Sequence, residues 1–365
     1  MSALKEPAFD LLLSMLNRKL RIVITVDPEI PVPPLYYGGI ERIVGMLVLG
    51  LAKEGHDIHL FANHESRVPA KVVPYEGRRS VSLADTLRNA LQIKNYIRKT
   101  KKVDIVHSFS RLAYLAFIMK SSIPKIQSYQ RYITPRSIRL ALWLGGKNIT
   151  FTACSRYCAG TADFIGGEWV IIPNGVQLEK YQFNPGVAPD APLVFLSRIE
   201  RTKGVHTAIE VAEKSGRQFI IAGNHAQAGK DYAYFRNEVL PHCDGKIIRY
   251  IGPIDDLGKN ELLGKACALI FPIEWDEPFG IVMVEALACG TPVIAFNRGA
   301  APEVIQNGVN GFICSNKEDM LEMVRRIKDI SRKTCRETAE KKFSQDVIVG
   351  EYLRLYEKLA NKAGE

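Results

Sequence analysis

Twelve residues, YQFNPGVAPDAP (181–192), carry three prolines and no hydrophobic periodicity, and they divide the chain into two stretches that follow one rule. Before the break, LRIVITVD (20–27) is a buried-strand run. GGIERIVGMLVLGLAKEGH (38–56) follows, with Ile40, Ile43, Val44, Leu47 and Leu51 at helical spacing and Gly55 near its end, and DIHLFAN (57–63) begins the next strand. The rhythm recurs at VDIVHSF (103–109), KIQSYQ (125–130), NITFTACS (148–155) and WVIIPNGV (169–176). After the break it restarts, with strand-like runs at LVFLSRI (193–199), QFIIAG (218–223), IIRYIG (247–252), CALIFP (267–272) and TPVIAF (291–296). Apolar runs alternating with helices make a parallel sheet covered on both faces. The expectation is two doubly wound α/β domains whose strand carboxyl ends face each other across a cleft. A chain of 365 residues with 47% hydrophobic content has enough apolar surface for two cores.

Composition removes several classes of function. The apolar stretches reach about ten to twelve residues, against roughly twenty for a bilayer span, so no transmembrane helix is expected. FDLLLSMLN (9–17) follows acidic residues and lacks a small-residue cleavage site, so it does not read as a signal peptide. Seven cysteines without CxxC pairs or Cys/His clusters suit reduced thiols in the cytoplasm, and Cys154 and Cys158 read as core packing. No cluster of carboxylates or histidines suggests a metal, and neither first strand is followed by the GxGxxG of a nicotinamide-dependent oxidoreductase.

Charge is unevenly distributed. Residues 1–188 carry 25 Lys and Arg against 14 Asp and Glu, whereas residues 189–365 carry 24 against 25. Residues 67–147 alone hold 17 basic and 3 acidic side chains. Zinc-finger spacing, RNP-type aromatics and a basic helix with heptads are all missing, so nucleic acid is not the expected partner. An anionic acceptor or an anionic membrane surface fits better, because Arg131, Arg136 and Arg139 are interleaved with Tyr129, Tyr132, Ile133, Ile138, Leu140, Leu142 and Trp143.

The candidate site lies in EWDEPFGIVMVEALACGTPVIAF (274–296), where Glu277 and Glu285 stand eight residues apart in an otherwise apolar run. The preceding strand end, a loop and a helix closed by Gly290 place Glu277 in the loop and Glu285 within the helix. Free N–H groups at the helix start, near Phe279, Gly280 and Ile281, form a phosphate site through unpaired donors and the helix dipole. Carboxylates repel phosphate but accept hydrogen bonds from sugar hydroxyls, so this pattern suits a nucleotide sugar. A glycosidase-type acid/base pair is the weaker reading, because such carboxylates must lie about 5 to 9.5 Å apart.

This stretch resembles the E-x7-E signature of glycosyltransferase family 4, retaining enzymes with two Rossmann-like domains in the GT-B fold. LSRIERTKG (196–204) is similar to the family's phosphate-binding strand end, with Arg198 and Lys203 as its basic pair. YYGGIER (36–42) resembles its first glycine-rich loop, IIPNGV (171–176) its interdomain segment and GAAPEVIQNGVNGF (299–312) its GGxPE-like turn, all in the family's order. The resemblance implies that Glu277 contacts donor-sugar hydroxyls and Glu285 the ribose, with Ile254 of YIGPI facing the base. Arg198 and Lys203 would neutralise the leaving diphosphate, and Gly38 and Gly39 would let the backbone approach it. Many members carry His-x-His after the strand corresponding to VDIVHSF, the second histidine lying near the reacting sugar; here His107 is kept and the second position is Phe109, so either His107 takes that role, or Ser108, Ser110 or a residue of YQRYITPR (129–136) compensates, or the donor geometry differs.

The expected protein is therefore a retaining, metal-independent hexosyltransferase without a cofactor, using a UDP- or GDP-sugar. Its acceptor domain spans 1–183 and its donor domain 184–345, and a C-terminal helix at 346–365 packs back on the first domain. A nucleotide-sugar epimerase of similar shape and a catalytically silent anionic-surface binder on this scaffold are the alternatives.

Overall fold

The computed structural model describes residues 18–35, 38–145, 148–162 and 165–362; the 9–17 stretch and the two tyrosines of YYGGIER lie outside them. The first domain is built on β1 (Arg21–Thr25), β2 (Asp57–Ala62), β3 (Lys71–Pro74), β4 (Ile105–Ser108), β5 (Lys125–Tyr129), β6 (Ile149–Ala153) and β7 (Glu168–Ile171). They form one parallel sheet in the order β3-β2-β1-β4-β5-β6-β7. The second domain repeats the plan with β8 (Leu193–Leu196), β9 (Phe219–Ala222), β10 (Ile248–Tyr250), β11 (Ala268–Phe271), β12 (Val293–Phe296) and β13 (Gly311–Cys314), in the order β10-β9-β8-β11-β12-β13. Each sheet reverses direction beside its first strand, at β1/β4 and at β8/β11. That switch point is where an open α/β sheet leaves a crevice.

Helix α1 (Gly39–Lys53) connects β1 to β2, whereas α2 (Leu83–Lys99) connects β3 to β4 and α3 (Pro135–Gly145) connects β5 to β6. Right-handed crossovers running in opposite directions place α1 on one face of the sheet and α2 and α3 on the other. The cores agree: Ile43, Leu47 and Leu51 of α1 pack in one cluster, Ile93 of α2 and Ile138 of α3 in another.

In the second domain α4 (Val205–Ser215) follows β8, α5 (Asp256–Lys265) precedes β11, and α6 (Ile281–Ala288) follows β11. Helix α7 (Arg332–Phe343) ends at the domain joint, where the Val176 amide donates to the Phe343 carbonyl at 2.8 Å. The last helix, α8 (Gln345–Lys362), then crosses to the first domain. Its Ile348, Val349, Tyr352, Leu355, Tyr356 and Leu359 are buried in the α1 core, while Val347 and Leu353 are only half-buried. Gly50 of α1 makes this docking possible, because any side chain there would collide with Val349. All seven cysteines are free thiols. Among the described residues no helix is long and apolar enough to cross a membrane.

Candidate active site

The chain leaves β8 into the loop that carries Arg198, which is ion-paired with Glu200, and turns through Arg201–Lys203 to Gly204. Gly204 has φ 73, and a side chain there would collide with the Pro272 carbonyl, so glycine is what lets the β8 loop lie against the β11 loop. The Glu274 amide donates to the Thr202 carbonyl at 2.9 Å and joins the two loops. Lys203 is thereby buried with its Nζ 2.6 Å from Glu277 Oε2 and 4.7 Å from the centre of the Trp275 ring. Trp275 Nε1 donates to the same carboxylate oxygen at 3.0 Å. Glu277 is also fixed through its backbone, since its carbonyl accepts from the Ala300 amide at 2.9 Å, within the GAAPE turn.

Beyond Glu277, Phe279 is buried and Gly280 (φ 79) opens α6 without any side-chain cap, so the first amides of α6 remain available to an anion. Gly38 likewise opens α1 without a side-chain cap. The two helix starts adjoin: a side-chain carbon on Gly39 would stand 3.6 Å from Ile281 Cδ1. The structure thus brings Lys203, Glu277, Phe279, Gly280, Ile281, Gly38 and Gly39 to the joint between the two switch points, with Arg198 on the neighbouring loop. The first domain closes on this loop, for Ser155 Oγ donates to the Pro278 carbonyl at 2.6 Å. The amides of Arg156 and Tyr157 reach Glu303 at 2.7 and 2.8 Å.

Glu285 sits one helical turn further in, buried, with Oε1 accepting from Tyr181 Oη at 2.8 Å and Lys259 Nζ at 2.6 Å. Lys259 continues to Asp256 at 3.5 Å, and Asp256 pairs with Arg42 of α1 at 2.7 Å. Burial pushes the Asp256 carboxyl up, but Lys259 and Arg42 outweigh it and hold the group below its usual range. Ile254 lies half-buried just ahead of α5. This chain from α1 through α5 to α6 was not foreseen. Its members are 214 and 26 residues apart at the Arg42–Asp256 and Lys259–Glu285 links, with no spacing to betray them.

A second unforeseen group lines the first-domain side. Asp27, just past β1, receives Arg131 Nη2 at 3.4 Å, and its Oδ1 is buried without a hydrogen-bond partner. Glu41 is buried in the first turn of α1. Burial raises the carboxyl pKa of both, and Arg131 offsets part of the rise at Asp27. The acidic residues that flank the glycine loop in TVDPEIPVPPLYYGGIER were the available signal. Arg131 therefore reaches toward the end of β1, although its side chain stays 63% exposed.

His107 requires a correction. It was expected at the reacting sugar, yet it is fully buried beneath α8, with Nδ1 2.6 Å from Tyr356 Oη and Nε2 2.6 Å from Ser128 Oγ. The Phe109 ring lies against it, tilted by 37° with ring centres 4.3 Å apart, and burial pushes the imidazole down to about 3. Both nitrogens are occupied and the ring is fully buried, so His107 is a core residue that locks α8 to β4. Among the described residues no three His, Cys, Asp or Glu side chains converge as metal ligands.

Comparison with known proteins places this geometry. Residues 37–180 match the family model described as Glycosyltransferase Family 4, and residues 179–345 match Glycosyl transferases group 1. The chain is 24% identical over 340 residues to a glycogen synthase of Mycobacterium tuberculosis, covering 78% of this chain and 81% of that one. Among solved structures, sucrose-phosphate synthase from Thermosynechococcus elongatus superposes with TM-score 0.79 at 18% identity, over 94% of this chain and 100% of that one. Anabaena HepE in complex with UDP-glucose gives TM-score 0.70 at 18% identity, over 92% and 100%. At those identities the structural likeness speaks for the fold, while the sequence matches speak for the activity. The chain is a GT-B glycosyltransferase and belongs to glycosyltransferase family 4.

Proposed function

We propose that this enzyme is a retaining, metal-independent transferase that moves a hexose from a UDP- or GDP-sugar to a hydroxyl of an acceptor held by the first domain. The observation that carries the reading is the Lys203–Glu277 pair, packed on Trp275 at the β8/β11 switch point beside the uncapped start of α6. A diphosphate at the α6 amides would have Lys203 and Arg198 as its cations. Such a preorganised positive site stabilises the charge that develops as the bond from C1 to the phosphate oxygen breaks, at about 3 kcal/mol for each well-placed donor. Glu277 is then available to the sugar hydroxyls and Glu285 to the ribose. Ile254 and its neighbours ahead of α5 stand beside the base. The acceptor oxygen bonds to C1 on the face the diphosphate leaves, and its proton passes to a phosphate oxygen of the leaving group. UDP-glucose in the Anabaena HepE structure supports a nucleotide-sugar donor.

Asp27, Glu41 and Arg131 face the acceptor side. The excess of positive charge in residues 67–147 favours an acceptor that is anionic or lies at an anionic membrane. Seven free thiols suit the reducing cytoplasm as the place of work. The test is release of nucleoside diphosphate from UDP-, GDP- and ADP-sugars in the presence of EDTA, followed by proton NMR of the anomeric centre once an acceptor is found. Turnover with EDTA and retained configuration are expected. Activity that returns only on adding magnesium or manganese, or an inverted anomer, overturns the reading.

A further inference from the structure

The α2/α3 face of the first domain carries an arrangement that neither core nor cleft uses. On α2, Ile93 and Ile97 point into the core, yet Leu83, Leu87 and Leu91 recur every fourth residue on the solvent side, 84%, 52% and 39% exposed. On α3, Ile138 and Ala141 are core, while Leu140 and Trp143 stand 52% and 79% exposed. A lone exposed leucine is ordinary. A regular stripe of leucines, joined by a tryptophan on a neighbouring helix of the same layer, is a surface shaped for contact.

The two helices belong to one layer because both are right-handed crossovers on the same side of the sheet. Between them runs Leu112–Ile118, and Phe117 from that stretch is exposed, with Lys94 of α2 lying 5.6 Å over its ring. Cations flank the apolar stripe: Arg88 and Arg98 on α2, Arg136 and Arg139 on α3, all exposed. The one acidic residue of α2, Asp85, accepts from the amides of Arg78 and Arg79 and stands 4.0 Å from Arg88, and α3, with Arg136 and Arg139, carries no acidic residue. The face is thus apolar along its ridge and basic along its flanks.

We infer that the α2/α3 layer docks this enzyme on an anionic lipid bilayer, with Leu83, Leu87, Leu91, Leu140 and Trp143 entering the interface and the flanking arginines meeting headgroups. Charge complementarity selects this occupant. The layer lies within residues 67–147, whose 17 basic and 3 acidic side chains would repel a second copy of the same face but are drawn to an anionic surface. The surface is separate from the donor site, and the inference stands independently of which sugar is transferred.

The test is co-sedimentation of the full-length enzyme with vesicles of equimolar phosphatidylglycerol and phosphatidylcholine, beside vesicles of phosphatidylcholine alone. The wild type binds the anionic vesicles at least tenfold more, and salt weakens the binding. L87D/L91D loses at least tenfold in bound fraction, and R136E/R139E does the same through charge alone. Both variants keep wild-type circular dichroism and nucleoside diphosphate release, which separates this inference from the donor-site reading. Equal binding to both vesicle types, no binding to either, or unchanged binding of L87D/L91D overturns the proposal. So does a concentration-dependent dimer in sedimentation velocity that L87D/L91D abolishes while the wild type ignores vesicles.

Discussion

The burial of His107 makes a quantitative statement about acid stability. The imidazole is neutral in the fold, with its pKa pushed from 6.5 down to about 3. In the unfolded chain it takes up a proton as pH falls through its ordinary value. Between those two values the unfolded state binds more protons than the native one, so stability falls with falling pH throughout that window. At pH 5, about 1.5 units below the unfolded pKa, a shift worth 1.36 kcal/mol per unit amounts to a loss of about 2 kcal/mol relative to neutral pH. In His107→Gln, the amide can still meet the hydroxyls of Tyr356 and Ser128 but has nothing to titrate. The variant should start less stable at pH 7, from imperfect packing, yet lose about 2 kcal/mol less than wild type on going to pH 5. For a unit of this size that difference is about 4–8 °C in Tm, read by calorimetry or by near-ultraviolet circular dichroism. His56 and His59, both also lowered by burial, contribute equally to the two proteins and cancel. Parallel acid slopes in wild type and variant, or an NMR titration of His107 near pH 6, would refute the assignment of a sealed, neutral imidazole.

The remaining predictions concern the cations and the last helix. Lys203→Ala and Arg198→Ala should each lower turnover at least a hundredfold with unchanged circular dichroism, since a lost contact to a developing diphosphate costs about 3 kcal/mol; near-normal rates in both would remove the diphosphate from this site. Deleting residues 346–365 strips the α1 core of six large apolar side chains. At about 1.5 kcal/mol or more each, that is on the order of 10 kcal/mol, comparable to a domain's whole stability. The deletion should abolish cooperative melting of the first domain, and an unchanged transition would contradict the packing described.

Most of the architecture was legible because fully buried parallel strands read as near-continuous apolar runs, as in Ile22–Ile24 or Ala268–Phe271. Two strands escaped, for different reasons. Lys71–Pro74 is a half-exposed edge with no apolar run, and Gly311–Cys314 emerges directly from a turn that occupied the reading. The Glu277 and Lys203 positions were visible because each sits within a short motif beside a strand end. Lys259, Arg42 and Asp27 were not, since their partners Glu285, Asp256 and Arg131 come from other segments; Trp275 stands two residues before Glu277 and Glu41 beside the glycine loop, but no spacing marks either. His107 was misjudged because the residue that claims it, Tyr356, lies 249 positions later in the chain. Among the residues interleaved with arginine, Ile133 and Ile138 proved to be core and Tyr132, Leu140 and Trp143 surface. A helical wheel would have separated the members of α3, but it could not have shown which side the sheet occupies.

The docking of α8 on α1 also sets an order of assembly. When a ribosome has finished residues 1–183, every strand of the first sheet exists, yet the helix that seals the α1 face of that sheet has not been made. Gly50, His107 and the α1 ridge wait for side chains that are synthesised last. The second domain, contiguous from its linker through α7, can complete its own core earlier. Birth order and maturation order are therefore reversed between the two halves. The first-made half is the one a chaperone would have to shelter until translation has passed residue 359, whose Leu side chain is the last large apolar group of that seam.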